Sequence, residues 1–231
     1  MSFSTESMAP SGARANPVVA AALLSHAFLW MFAGMLLTAG VAFVVQANDQ
    51  VMGSAMNLML PILIGQLALV WAIGLGIRRF SATVALGLFF IYAATLGFTM
   101  AVIVSLYTGE SVVTAFLSAS AMFGAAGLYG VVTKRSLAGL GGTLMIGIVG
   151  LIVASLINVF FASGTLSWII SLIGVAIFTA LTAYDTQRIA SGALIAQTGS
   201  VEKAAVMGAL SLYLDFINLF LFLLRLFGSR R

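Results

Sequence analysis

Cysteine is absent and histidine occurs once, as His26. The first absence removes disulfides, thiolate metal centres and cysteine nucleophiles. The second leaves zinc, which takes about four ligands, without a ligand set, and His26 reads as an interfacial polar residue. Charge is scarce as well, since only 7% of the 231 residues are Asp, Glu, Lys or Arg, against roughly 25% in ordinary soluble domains. Water is therefore not the main solvent of this chain. A net charge of +4 does not signal nucleic acid, because the basic residues sit at segment ends without a patch of interleaved aromatics. No GxSG serine with a partner histidine occurs, which removes rhomboid-like catalysis, and no internal repeat supports an inverted-repeat transporter. Nothing calls for a resident cofactor, and no enzyme activity is expected.

What remains is apolar: 62% of the residues are hydrophobic and the mean hydropathy is +1.17. A bilayer core about 30 Å thick needs roughly 20 apolar residues per helix. Breaking the chain at polar clusters predicts seven helices, near 20–46, 55–77, 82–107, 112–132, 138–161, 166–189 and 204–227. Helices are expected and not a barrel, because the runs lack the alternation of lipid-facing strands. The expected fold is thus an all-α integral membrane bundle of seven transmembrane helices, one domain over 20–231 behind a disordered cytoplasmic tail at 1–19. The first hydrophobic run is too long for a signal peptide and reads as a retained span.

Arg14, the pair Arg78 and Arg79, the pair Lys134 and Arg135, and then Arg188 and Lys203 fall in the tail or in alternate loops. The other loops carry only Asp49 and Glu110. By the positive-inside rule the amino terminus is cytoplasmic, and short loops fit a bacterial inner membrane. Arg225, Arg230 and Arg231 run against this bias, so the seventh segment either crosses or is re-entrant; crossing is expected. Gly124, Gly127 and Gly130, and Gly150, Ala154 and Asn158, are expected to pack helices closely. Gln66 and Asn158 are expected to bond between helices. Trp30, Trp71, Trp168, Tyr107 and Glu110 are assigned to the interface.

Two acids fall inside apolar runs: Asp185 in TALTAYDTQRIA and Asp215 in GALSLYLDFINLF. A carboxylate in hydrocarbon costs about 2.5 to 3.5 kcal/mol on insertion scales, so such acids are functional candidates. Gly208, Ser211, Asp215, Asn218 and Phe222 follow one another at helical spacing, as do Ser171, Gly174, Phe178, Thr182 and Asp185, so each set shares a face. If the two faces meet, the acids share a proton or, when both are ionised, offer oxygen to calcium. Ser211, Asn218 and Thr182 are the supporting polar groups. The bland alternative is a local pair between Asp185 and Arg188 at i+3. A proton-coupled solute transporter would use the same acids. An intramembrane aspartyl protease would also pair two acids, but its GxGD motif is replaced by Leu212, Tyr213, Leu214, Asp215 and no PAL triplet follows.

The stretch TAYDTQRI followed by ALSLYLDFINLFLFLLRLFG resembles the signature of the Bax inhibitor-1 family, also called the transmembrane Bax inhibitor motif or YccA-like family. YTGESVVTAF, MFGAAGLYGVVTKRSL and the Asn158 region extend the likeness more loosely. The resemblance implies a seven-helix membrane protein whose central carboxy-terminal helix is wrapped by six others. It also implies a pH-sensitive calcium leak with Asp185 and Asp215 as sensor and ion-binding pair. Arg78 or Arg79 would latch onto Asp185. The implied partners are membrane lipid, calcium and protons, with calcium as the transported ion. The chain departs from the family in its longer stretch from Ser191 to Val201, and the cell-death role of eukaryotic relatives is not carried over.

Overall fold

A computed structural model describes residues 16–229. Arg14, Arg230, Arg231 and most of the predicted tail lie outside the described residues. Within them the chain is helical and contains no strand: α1 (Pro17–Gln46), α2 (Asp49–Asn57), α3 (Met59–Gly76), α4 (Ala82–Ser105), α5 (Gly109–Val132), α6 (Leu140–Phe161), α7 (Gly164–Ala190), α8 (Ala193–Thr198) and α9 (Val201–Phe227). Seven of these, all but α2 and α8, are long and apolar enough to cross a membrane. The chain is an integral membrane protein of all-α class.

Local chemistry sets the ends. α1 starts three residues before its predicted boundary, where Asn16 accepts from the Val18 N–H and Pro17 occupies the first turn; Pro suits that position because its missing N–H has no intrahelical partner. The predicted second span at 55–77 is divided. α2 ends at Asn57, and α3 carries Pro61 in its first turn, where the ring would collide with the Asn57 carbonyl of a continuous helix. Hydropathy does not register that break. The stretch from Ser191 to Val201 folds into α8, held between two left-handed glycines, Gly192 at φ 74° and Gly199 at φ 88°.

α9 is the axis of the bundle and packs against α1, α4, α5, α7 and α8. The expectation of six surrounding helices holds only loosely, since α6 lies outside on α7, and α3 outside on α4. Burial follows this order: 67% of the apolar window of α9 is buried, against 6% for α6. A polar pin fixes the centre. Thr38 Oγ1 donates to Ala93 O at 2.7 Å and lies 2.6 Å from the Tyr213 hydroxyl, which is then the donor to Thr38. The pin joins α1, α4 and α9, and Phe89 and Tyr92 pack edge-on against the Tyr213 ring.

Close approaches occur at some of the expected small residues and not at others. A Cβ on Gly130 would run into the backbone of Ala183 on α7, whereas Gly124 and Gly150 have open space beside them. Gln66 Nε2 donates to Thr99 Oγ1 at 2.9 Å and joins α3 to α4. Asn158 does not bridge helices as expected: its Oδ1 accepts from the Ser163 N–H and closes the turn between α6 and α7. Trp30, assigned to the interface, packs edge-on against Phe90 midway along α1.

α9 crosses the whole bundle. Its start lies beside Arg78, through Lys203 Nζ donating to Arg78 O at 3.1 Å. Its far end lies at the start of α5, where Thr108 N donates to Ser229 O and Ser229 N to Ser111 Oγ. Arg225 sits at that far end, over the Phe222 ring at 5.8 Å.

Candidate functional site

The site is built where α7 and α9 run antiparallel. A Cβ on Gly174 would meet the Phe222 ring at 2.6 Å, and one on Gly208 would meet Ile189 Cδ1 at 3.0 Å. Glycine at both contacts lets the helices approach, and together the contacts fix the register. Asp185 falls near the level of Ser211, and Asp215 near the level of Thr182. The acids are therefore offset by about one turn, roughly 6 Å of helical rise.

Both acids are buried, Asp185 at 9% exposed and Asp215 at 4%. Their surroundings differ. Asp185 Oδ1 lies 3.6 Å from Arg188 NH1, the local pair one turn on. Asp215 Oδ2 is buried without a hydrogen-bond partner. The expected pair thus sits on neighbouring helices about one turn apart in level, Asp185 with Arg188 beside it and Asp215 with no donor to its Oδ2.

Two of the supporting polar groups, Thr182 and Asn218, are turned toward their own helices. Thr182 Oγ1 donates to Phe178 O at 2.8 Å, and Asn218 Nδ2 to Leu214 O at 2.8 Å. Every member of the α7 stripe is buried. The α9 stripe differs from expectation: Gly208 and Asp215 are buried, while Ser211, Asn218 and Phe222 are half-buried. The reason is that α9 is enclosed on nearly all sides, so its innermost face is the apolar one carrying Leu212, Leu219 and Leu223. Met207, one turn before Ser211, comes within 4.0 Å of a Cβ placed on Gly74 of α3.

The basic loops converge above Asp185. Arg78 Nε donates to Gln197 O at 2.8 Å, and Arg188 NH2 donates to Gln197 Oε1. Gln187 Nε2 donates to Arg135 O at 2.9 Å, and its Oε1 accepts from the Leu137 N–H at 2.7 Å. Neither Arg78 nor Arg79 touches Asp185 among the described residues; Arg78 reaches toward it only by way of Gln197 and Arg188. Beside this cluster an open cleft of about 750 Å³ is lined by Lys134, Arg135, Tyr184 and Arg188, so the Asp185 end of the site adjoins the surface. The sequence reading missed Gln187 and Gln197, because lone glutamines in a polar stretch carry no periodic signal. It also missed Thr186, whose buried hydroxyl has no partner and would lie 3.6 Å from a Cβ placed on Gly127 of α5.

Among the described residues no group of three or more His, Cys, Asp or Glu is placed to hold a metal. His26 Nδ1 lies 2.7 Å from Ala22 O of its own helix.

Comparison with known proteins agrees with this architecture. The family model described as inhibitor of apoptosis-promoting Bax1 matches residues 20–231. The chain is 42% identical over 214 residues to the inner membrane protein YbhL of Escherichia coli K12, covering 90% of this chain and 92% of that one. It is 42% identical over 208 residues to a Deinococcus radiodurans protein, with 90% of each chain covered. A Borreliella burgdorferi protein is 40% identical over 214 residues.

Proposed function

The chain belongs to the Bax inhibitor-1 family, and from that premise we propose that it is a calcium-permeable leak path of a bacterial inner membrane, gated by protons at Asp185 and Asp215. The observation that carries the reading is the unequal treatment of two buried acids: one has a cation beside it, the other has a carboxyl oxygen with no partner. A lone carboxylate in a low-dielectric interior needs a proton, a cation or water. Asp215 is therefore where protons and calcium compete. The rest of the six to eight oxygens that calcium takes comes from water, backbone carbonyls and the neighbouring hydroxyls.

Asp185 works differently. While ionised it holds Arg188, and Arg188 ties the end of α7 to α8. Falling pH removes that charge, frees Arg188 and loosens the end of the bundle, a two-state packing biased by local charge. The same fall in pH fills Asp215 with a proton and removes the cation site. Flux then passes through a maximum as pH is lowered. The direct latch from Arg78 or Arg79 to Asp185 belongs to a closed packing tighter than this one. With the basic loops cytoplasmic, the Asp185 end faces the cytoplasm. The protein acts on ions and carries out no covalent chemistry.

Calcium flux from proteoliposomes across a range of pH tests the reading. Asp215→Asn is expected to lower flux at every pH and to flatten the profile. An unchanged flux with unchanged pH dependence removes Asp215 from the mechanism. Uptake of a small solute driven by a pH gradient, without calcium leak, indicates the proton-coupled transporter instead.

A further inference from the structure

The ion pair between Asp185 and Arg188 is long, at 3.6 Å, and the Arg188 side chain is 28% exposed. A pair of that kind does little to fix a flexible arginine on its own. What orients this one is its second arm. NH1 faces Asp185 while NH2 donates to Gln197 Oε1, so the planar fork is held at both ends. The backbone carbonyl of Gln197 in turn accepts from Arg78 Nε at the end of α3, and the Arg78 carbonyl accepts from Lys203 Nζ on α9.

We infer that Gln197 is a positioning residue, a crossbar on α8 that keeps Arg188 on Asp185 only while α8 is docked against the ends of α3 and α9. The inference rests on the proposed gating and says which element controls it. α8 is suited to the role. It is one short helix between two left-handed glycines, Gly192 and Gly199, so both of its connections can pivot. It is seated by two buried residues, Leu194 and Thr198. Undocking it removes one arm of Arg188 and the anchor of Arg78 together. The charged groups that bear on Asp185 are then Arg188 on its own helix, Asp215 on α9, Arg78 through Gln197, and Lys203 through the Arg78 carbonyl.

The test uses the full chain in proteoliposomes with Gln197→Ala and Gln197→Glu. Gln197→Ala removes the acceptor of Arg188 and is expected to raise flux severalfold at neutral pH and to weaken its pH dependence. Gln197→Glu keeps an acceptor and is expected to stay near the parent profile. Arg78→Met acts on the same crossbar, so its effect and that of Gln197→Ala should fall short of additive. A profile of Gln197→Ala that superimposes on the parent, or full additivity of the two changes, overturns the inference. A readout independent of calcium uses the absence of native cysteine: spin labels at Arg79→Cys and Ala196→Cys should report one narrow distance that broadens with Arg78→Met. Broadening in a protein that carries no calcium supports the crossbar while the channel reading fails; an unchanged distance overturns the crossbar even where pH-dependent flux is intact.

Discussion

The last turns of α7 and the middle of α9 each bury one aspartate, yet they treat it in opposite ways. At the end of α7 the carboxylate has an arginine one turn on, a cleft nearby and a glutamine, Gln197, bonded to that arginine. In the middle of α9 the carboxyl is enclosed, with one oxygen unpaired. A paired, near-surface acid contributes structure and is cheap to keep. An unpaired central acid works against the stability of the fold, and that cost is the reason to assign it the ion.

The same substitution at both acids breaks or sharpens this contrast most strongly. Asp215→Leu should abolish calcium flux and stabilise the protein in detergent, by about 1 to 3 kcal/mol, since a buried group without a partner is removed. Asp185→Leu should lower stability by about 0 to 1 kcal/mol, because a partly exposed pair is lost. Thermal denaturation of the two variants reads the difference, and equal signs would contradict it.

Displacing one acid without the other gives the next effect. Gly130→Ala places a Cβ against the Ala183 backbone, two residues from Asp185, and is expected to cost about 1 to 3 kcal/mol by overpacking. Gly124→Ala, with open space beside it, is expected to be neutral. Tyr213→Phe removes the bond to Thr38 two residues from Asp215 and should cost about 0.5 to 1.5 kcal/mol in thermal unfolding. Arg188→Met has the smallest effect on stability, about 0 to 1 kcal/mol. It should raise flux at neutral pH while leaving the loss of flux at low pH in place, because that limb belongs to Asp215.

Hydropathy alone made the seven spans and the class of the fold legible, since a run such as Leu140–Phe161 has no other solvent than lipid. The cost of intramembrane charge singled out Asp185 and Asp215. Relations between elements were not legible. The one-turn offset of the acids depends on Gly174 meeting Phe222 and Gly208 meeting Ile189, contacts that no single-helix pattern encodes. Pro61 marks the break between α2 and α3 only once its collision with the Asn57 carbonyl is considered, because composition stays apolar across it. The helical spacing of Ser211, Asp215 and Asn218 set them on one side of the helix, but an axial helix is enclosed nearly all round, so that spacing did not tell that Asp215 is buried while Ser211 and Asn218 are half-buried. Arg188 displaced Arg78 as the partner of Asp185 because a residue at i+3 needs no tertiary contact to arrive.

Proton release on calcium binding tests the competition at Asp215 most directly. In weakly buffered detergent solution, adding calcium to the purified protein near neutral pH should release protons, since the ligand must lose its proton to accept the ion, and Asp215→Asn should release none while Asp185→Asn still does. Calcium binding without proton release, or release that persists in Asp215→Asn, would contradict the account.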